Sequence, residues 1–134
     1  MPVAGWKAKE KLNKPPADTS WIWLTRPMIE SDAWCKLSLA ATRIVYRVAI
    51  EHMLHAGTEN GNLIVTYNDF EKFGIRRGSI KAAIDEAVAK GWILITERGR
   101  PSTGQARWPT RYALGWLPLK DGTPPLNRWK RWKP

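Results

Sequence analysis

Apolar residues in the middle of the chain recur at helical spacing and predict successive helices. A stripe along residues 38–56 predicts a long helix, with Ser38 as its N-cap and Gly57 at its end. A shorter helix is expected after Thr66, whose hydroxyl can cap it. Gly74 then predicts a tight turn into a further helix. Two helices joined by such a turn are typical of a helix-turn-helix.

The helix after this turn carries the most informative pattern. It is predicted to begin near Arg76 and to end before Gly91, where positive φ is expected. Its predicted inner face consists of Ile80, Ile84, Ala87 and Val88. The opposite face carries Gly78, Ala82, Asp85 and Ala89. The N-terminal end of the helix, which we call its entry, carries Arg76, Arg77, Ser79 and Lys81. Small residues beside cations suit a helix that approaches a duplex closely, and a helix N-terminus favours a phosphate.

Three β-rich runs surround these helices. They are residues 63–66, 92–96 and 111–114. Between the second and third runs, residues 97–108 combine glycine, proline and small polar residues with arginines, which predicts a flexible basic loop. A helix-turn-helix followed by a β-hairpin is the layout of a winged helix. The sequence therefore predicts an α+β winged helix-turn-helix, with a three-helix core, a small antiparallel β-hairpin wing, and N- and C-terminal extensions.

The chain divides into three predicted parts. Residues 1–19 are polar and rich in lysine, and they predict a flexible basic arm. Residues 20–116 form the winged helix-turn-helix domain, and residues 117–134 form a basic tail rich in proline and tryptophan. The tail ends in cations interleaved with indoles, namely Arg128, Trp129, Lys130, Arg131 and Trp132. This pattern fits phosphate contact with stacking, packing of the two indoles on the domain, or anchoring on a protein partner.

Two expectations concern the segment before the long helix. Residues 25–35 predict one short helix with Thr25 as its cap. Trp21 and Trp23 could stack on bases, but we expect them to cover the hydrophobic core from one side.

Further expectations concern burial. Phe70 and Phe73 are expected to face inwards, and Cys35, in an apolar context, is expected to be buried. His52 and His55 are expected to be exposed polar residues, since neither their spacing nor a neighbouring acid matches a metal motif.

The positive charge of the chain is concentrated in particular segments. The formal net charge is +10, and residues 71–111 hold nine cations against four acids. Residues 112–134 hold five cations against one acid, whereas residues 21–70 hold four cations against five acids. A localised basic surface indicates a polyanionic partner, most simply nucleic acid.

The sequence argues against several other classes of protein. No stretch is long and apolar enough to span a bilayer, and the N-terminus lacks a signal sequence, so we expect a cytoplasmic protein with no membrane partner. No nucleophile–base pair, metal cluster or phosphate-binding glycine loop is recognisable. Tyr46, Tyr67 and Tyr112 lack the histidine and arginine partners of relaxases and recombinases. We therefore expect no enzymatic activity, no metal and no cofactor.

Several segments resemble a known group of proteins. They are Ser31 to Trp34, Leu37 to Ala41, Glu51 with His52, Glu59 to Gly61, Leu63 to Tyr67, Gly74 to Arg77 and Ala89 to Ile93. Over most of its length the chain resembles winged helix-turn-helix DNA-binding proteins of bacterial phages, plasmids and integrated mobile elements, of the replication-initiator-like, alphaproteobacterial type. The resemblance implies a recognition helix whose entry consists of Arg76, Arg77, Ser79 and Lys81. It also implies a wing that runs from Arg98 to Arg107.

With this resemblance, the sequence predicts a sequence-selective double-stranded DNA-binding protein of a bacterial mobile element. It would act in replication initiation or in control of transcription or excision, with the recognition helix in the major groove and the wing on the minor groove or backbone. Arg76 or Arg77 is expected to contact guanine, and at least one of Asp85 and Glu86 is expected to point away from DNA. The predicted DNA contacts are Thr66, Tyr67, Arg76, Arg77, Gly78, Ser79, Lys81, Arg98, Arg100, Gln105, Arg107 and Arg111.

An alternative from a different class is a winged-helix adaptor that binds protein rather than DNA. Its anchor would be the tryptophan-rich tail, residues 117–134. The winged-helix fold allows a homodimer on a palindromic site, and the DNA-binding hypothesis implies association with the nucleoid.

Overall fold

The computed structural model describes residues 13–101 and 107–134, with only the backbone of Pro101 and Arg107. Most of the predicted N-terminal arm lies outside these residues, and so does the predicted DNA contact Gln105. No helix in the described part of the chain is long and apolar enough to cross a membrane.

The described residues form an α+β fold. The α-helices are α1 (Arg26–Glu30), α2 (Asp32–Cys35), α3 (Leu39–Leu54), α4 (Tyr67–Lys72) and α5 (Arg77–Ala89). The strands are β1 (Leu63–Ile64), β2 (Ile93–Glu97), β3 (Arg100–Pro101), β4 (Arg107–Trp108) and β5 (Arg111–Leu114). A 3-10 helix, Arg128–Arg131, lies in the tail.

The strands form one three-stranded antiparallel sheet and one short ladder. In the sheet, β5 lies between β1 and β2, and Tyr112 is paired with Leu63 on one side and with Ile95 on the other. Beyond Ile95 the register shifts by a bulge, and β3 pairs with β4 as a separate ladder. Helices α3 and α5 pack against this sheet, and α4 packs on α5 and meets the sheet through Phe70 and Tyr112, a layout compatible with a winged helix.

Side-chain caps fix the starts of the predicted helices. The Ser38 hydroxyl accepts from the backbone N–H of Ala41, and the Thr66 hydroxyl accepts from the N–H of Asp69. The Asp69 carboxylate in turn accepts from the N–H of Thr66, which completes a capping box. Both predicted caps are confirmed, and each helix begins one residue after its cap.

The segment predicted as one helix over residues 25–35 is two helices, so that prediction was wrong. Thr25 does cap α1, but Ser31 adopts an extended conformation and ends it. The Ser31 hydroxyl then accepts from the backbone N–H of Trp34 and caps α2. A serine that can bond to the next turn competes with continuation of the helix.

The hydrophobic core lies between α3, α5 and the sheet. The inner face predicted for α5 is confirmed, since Ile80, Ile84 and Ala87 are buried and Val88 is partly buried. The largest buried side chains include Trp92, Trp116, Tyr112, Phe70, Met28, Ile44 and Leu63.

Four side chains expected inside are exposed. Trp21 and Trp23 alternate with Ile22 and Leu24 along an extended segment, and it is the latter pair that packs on the core. Because successive residues of an extended chain point to opposite sides, the two indoles face solvent.

The other two exposed side chains lie at helix ends. Phe73 is the C-cap of α4, whereas Phe70, within the helix, is fully buried. Cys35 is the last residue of α2, and Ala33 and Trp34 take the inward positions there.

His52, expected to be exposed, is buried on the inner face of α3 beside Val48 and Ala49. Its Nδ1 is buried, with no hydrogen-bond partner within the described residues. Burial lowers the pKa of His52 below its ordinary value, because the charged imidazolium loses its hydration. His55 is exposed, as expected.

The tail folds back onto the domain through Trp129. Its indole is buried and stacked on that of Trp92, with 5.4 Å between ring centroids and 9° between planes. The tail crosses Gly91, whose φ is +85°, and a Cβ there would collide with the backbone of Trp129 and Arg128. Of the arrangements left open by the sequence, packing on the domain is therefore the one that Trp129 adopts.

Gly91→Ala should lower the free energy of unfolding by about 2–5 kcal/mol. Alanine is strained in the left-handed conformation of this position, and its Cβ would collide with the backbone of the tail. Gly122 is the matched control, because its φ is +89° but a Cβ there would meet nothing within 4 Å. Gly122→Ala should cost only about 1–2 kcal/mol. Urea denaturation of both variants measures the difference, and equal losses would mean that the tail does not pack over Gly91.

His52 should make the protein less stable as the pH falls through about 6.5, the ordinary histidine pKa. Its folded-state pKa is lowered, so the unfolded chain binds more protons in this range, and protonation favours unfolding. Urea denaturation at about pH 7.5 and pH 5.5 should show the loss in the wild type and in His55→Gln, and His52→Gln should abolish it. An unchanged pH dependence in His52→Gln would assign the effect to another group.

Candidate functional site

One face of α5 is directed to solvent along its first two turns. Arg76, Arg77, Gly78, Lys81 and Ala82 are all exposed. Arg76 occupies the N-cap position and provides no side-chain cap, so the first backbone N–H groups of α5 receive no acceptor from it. The predicted recognition-helix entry is thus a solvent-facing surface with cations, a glycine and a helix N-terminus together.

The Arg77 guanidinium is held against α4. Its Nη1 donates to Oδ1 of Asn68 at 2.7 Å and lies 3.9 Å from Oε1 of Glu71. The guanidinium carbon also lies 6.0 Å from the centre of the Tyr67 ring, in a cation–π arrangement. These contacts fix the Arg77 side chain next to the start of α4.

The two acids on α5 point in different directions. Asp85 pairs with Lys81 on the exposed face, with 3.0 Å between Nζ and Oδ2. Glu86 instead accepts from the backbone N–H and hydroxyl of Ser38, each at 2.7 Å, and from Lys90 at 3.0 Å. Glu86 is therefore directed towards α3, whereas Asp85 lies on the exposed face of α5.

The Glu86 carboxylate is stabilised in its ionised form by these contacts. Partial burial alone would raise its pKa, but the hydrogen bonds from Ser38 and Lys90 outweigh this effect, and the pKa is lowered. The ionised carboxylate joins α5 to the N-terminus of α3, where a negative charge is favourable.

The predicted wing has more regular structure at its base, which comprises residues 97–100 and 108–110, than the sequence suggested. Residues 97–108 were expected to be a loop, but Glu97 belongs to β2, and Arg100 pairs with Trp108 in the β3–β4 ladder. The N–H of Gly99 donates to the Thr110 hydroxyl at 2.9 Å. A Cβ at Gly99 would lie 2.7 Å from the Thr110 backbone nitrogen, so a glycine permits this close approach of the two strands.

A cleft of about 510 Å³ separates this wing base from the start of α4. Thr66 and Tyr67 line one side, and Gly99, Arg100, Trp108 and Thr110 line the other, with the buried Tyr112 also contributing. Burial raises the pKa of Tyr112 to about 12, so its hydroxyl is protonated at neutral pH. The structure thus brings together the predicted contacts Thr66, Tyr67 and Arg100, with Arg77 adjacent to Tyr67.

Other predicted contacts lie elsewhere. Arg111 pairs with Glu97, with 3.2 Å between Nε and Oε2, and lines a different cleft together with Glu59 and Lys120. Neighbouring residues of β5 face opposite sides of the sheet, so Arg111 and Tyr112 cannot serve one site. Arg98 is exposed near the wing base.

The predicted tail contacts are remote from the entry of α5. Nζ of Lys90 lies 5.1 Å from the centre of the Trp132 ring, so this indole is beside the C-terminal end of α5. The first and last residues of α5 are about 18 Å apart along the helix axis. The 3-10 helix therefore places Arg128, Lys130 and Arg131 beside the C-terminal end of α5 rather than beside Arg76.

Sequence reasoning missed two residues of this site, Trp108 and Asn68. Trp108 stands between Arg107 and Pro109 in the chain, and a tryptophan among cations at the end of a basic loop is a signal that could have marked it. Asn68 carries no such signal, because its role depends on Arg77 reaching it across the turn.

No protein-family model, curated protein or solved structure matches this chain significantly. The resemblance to winged helix-turn-helix proteins of mobile elements stays a prediction from the sequence.

Proposed function

We propose that this protein is a winged helix-turn-helix protein that binds double-stranded DNA with sequence selectivity. The observation that carries the proposal is the exposed entry of α5, where Arg76, Arg77 and Lys81 flank Gly78 while the opposite face is buried. A helix with small residues between cations can lie close to base edges in the major groove, which is wide enough to admit it. The wing would contact the adjacent minor groove or backbone.

The contacts of the two arginines support different roles. Arg77 is held by Asn68 and beside Tyr67, so it would present a guanidinium in a fixed position. Arg76 is exposed at the N-cap, and the described residues offer it no ion pair. Either side chain can make the bidentate contact that arginine makes with guanine. Ser79 and Lys81 would contact phosphates and fix the register of the helix.

The cellular role follows from the resemblance rather than from the site. We propose that the protein acts for a bacterial mobile element, in replication initiation or in control of transcription or excision, in the cytoplasm at the nucleoid. The adaptor alternative has less support, because the buried Trp129 indole is not accessible to a partner.

Replacement of Arg76 or Arg77 by Ala should relax sequence selectivity at one base pair. Selection of duplexes from a random pool by the wild type, followed by sequencing, should enrich one motif, and each variant should lose about 1–3 kcal/mol of discrimination at one base pair. Arg26→Ala is the charge-matched control, since Arg26 is exposed on α1 and pairs only locally with Glu30. Equal losses in all three variants would show that net charge, rather than base contact, governs binding. Absence of DNA binding by the wild type would favour the adaptor.

Gly78→Ala should separate folding from DNA binding. Gly78 lies in the first turn of α5, and a Cβ there meets nothing within 4 Å, so alanine should stabilise the fold by roughly 0.5–1 kcal/mol. The same methyl group would project from the proposed groove-facing surface and should weaken binding of the selected motif. Thermal unfolding and DNA titration measure the two effects, and a stabilised variant with unchanged affinity would place DNA away from Gly78.

A further inference from the structure

The cleft between α4 and the wing base has the chemistry of a base-stacking site. Two of its three aromatic side chains lie on opposite elements and are exposed, with 39% of the surface of Tyr67 and 49% of that of Trp108 accessible. Large aromatic surfaces beside cations are the usual platform for unpaired bases, because every base has a π-face. Its volume of about 510 Å³ lies within the range of about 300–1,000 Å³ typical of small-molecule sites.

Each aromatic ring is accompanied by a guanidinium. The Arg100 guanidinium carbon lies 5.4 Å from the centre of the Trp108 ring, and that of Arg77 lies 6.0 Å from the centre of the Tyr67 ring. Each guanidinium group lies over its ring, so both sides of the cleft carry positive charge. A nucleotide offers both matching groups, a flat base for the rings and a phosphate for the guanidinium groups.

The cleft is also held in a defined shape. The Gly99 N–H bond to Thr110 closes the wing base, and the Thr66–Asp69 capping box fixes the start of α4. Tyr112, which lines the cleft as well, is buried in the central strand of the sheet. A site held in this way loses little conformational freedom when a base enters it.

We propose that this cleft binds a single unpaired nucleobase of the DNA, stacked between or upon Tyr67 and Trp108. The inference rests on the proposed function, since Arg77 connects the cleft to the entry of α5 and the base would belong to the same DNA. A base within an intact duplex presents only its edges, so it must leave the helical stack to reach the rings. The protein would therefore prefer DNA that is melted, bulged or distorted beside the contacted duplex.

The test compares two short duplexes that share the strand carrying a single 2-aminopurine, which is unpaired in one duplex and paired in the other. The wild type should bind the unpaired probe about 5- to 150-fold more tightly, the range expected for stacking of one base. Its binding should also quench 2-aminopurine fluorescence, which reports stacking directly. Equal affinity for the two probes without quenching would overturn the inference and leave the proposed duplex binding intact.

Variants assign the effect to the cleft. Trp108→Ala should abolish both the preference and the quenching, whereas Trp108→Phe should retain most of both, which shows that an aromatic face is needed. Trp21→Ala is the matched control, because Trp21 is an exposed tryptophan outside the cleft. An equal loss in Trp21→Ala would overturn the assignment. Binding of the unpaired probe alone, with no binding of the paired probe, would contradict the proposed binding of double-stranded DNA. The same result would support stacking of a base in the cleft.

Discussion

The fold is centred on the packing of the Trp92 indole. This indole is fully buried, its Nε1 donates to the carbonyl of Ala33, and its ring contacts Trp34 and Trp116 edge-on and Trp129 face-on. Aromatic side chains bury large apolar areas, and such ring pairs add about 0.5–1.5 kcal/mol each beyond that burial. One side chain therefore ties the segment before α3, the end of α5, the sheet and the tail into a single core.

This core also decides which surface of α5 remains outside. The last turn of α5 is fixed at two points, by the tail that packs over Gly91 and by Glu86, which binds the start of α3. The turn before α5 is held by Arg43, which donates to the carbonyl of Gly74 at 2.8 Å. Because α5 is attached to the fold at three points on one side, the face that carries Arg76, Gly78 and Lys81 remains exposed to solvent. The proposed DNA contact is thus a consequence of how the opposite face is held.

The charges and the aromatic cleft would contribute differently to DNA binding. Contacts between cations and phosphates are strong but do not depend on sequence, and salt weakens them. Stacking in the cleft would depend on whether a base is unpaired, and base-edge contacts from α5 would depend on sequence. The separate locations of Arg111 and of the basic 3-10 helix mean that the net charge of +10 is not one continuous surface.

The order and type of the main elements could be predicted from the sequence. Local signals were sufficient for the Ser38 and Thr66 caps, the apolar face of α5 and the glycine after it, because each depends on residues within one or two turns. Which side chains are buried in the segments without a clear pattern depends instead on tertiary packing. Trp21, Phe73 and Cys35 face solvent and His52 does not, since neighbours distant in sequence occupy or leave the available space. The cleft between Tyr67 and Trp108 and the stacking of Trp129 on Trp92 are likewise contacts across long sequence separations, which no local pattern encodes.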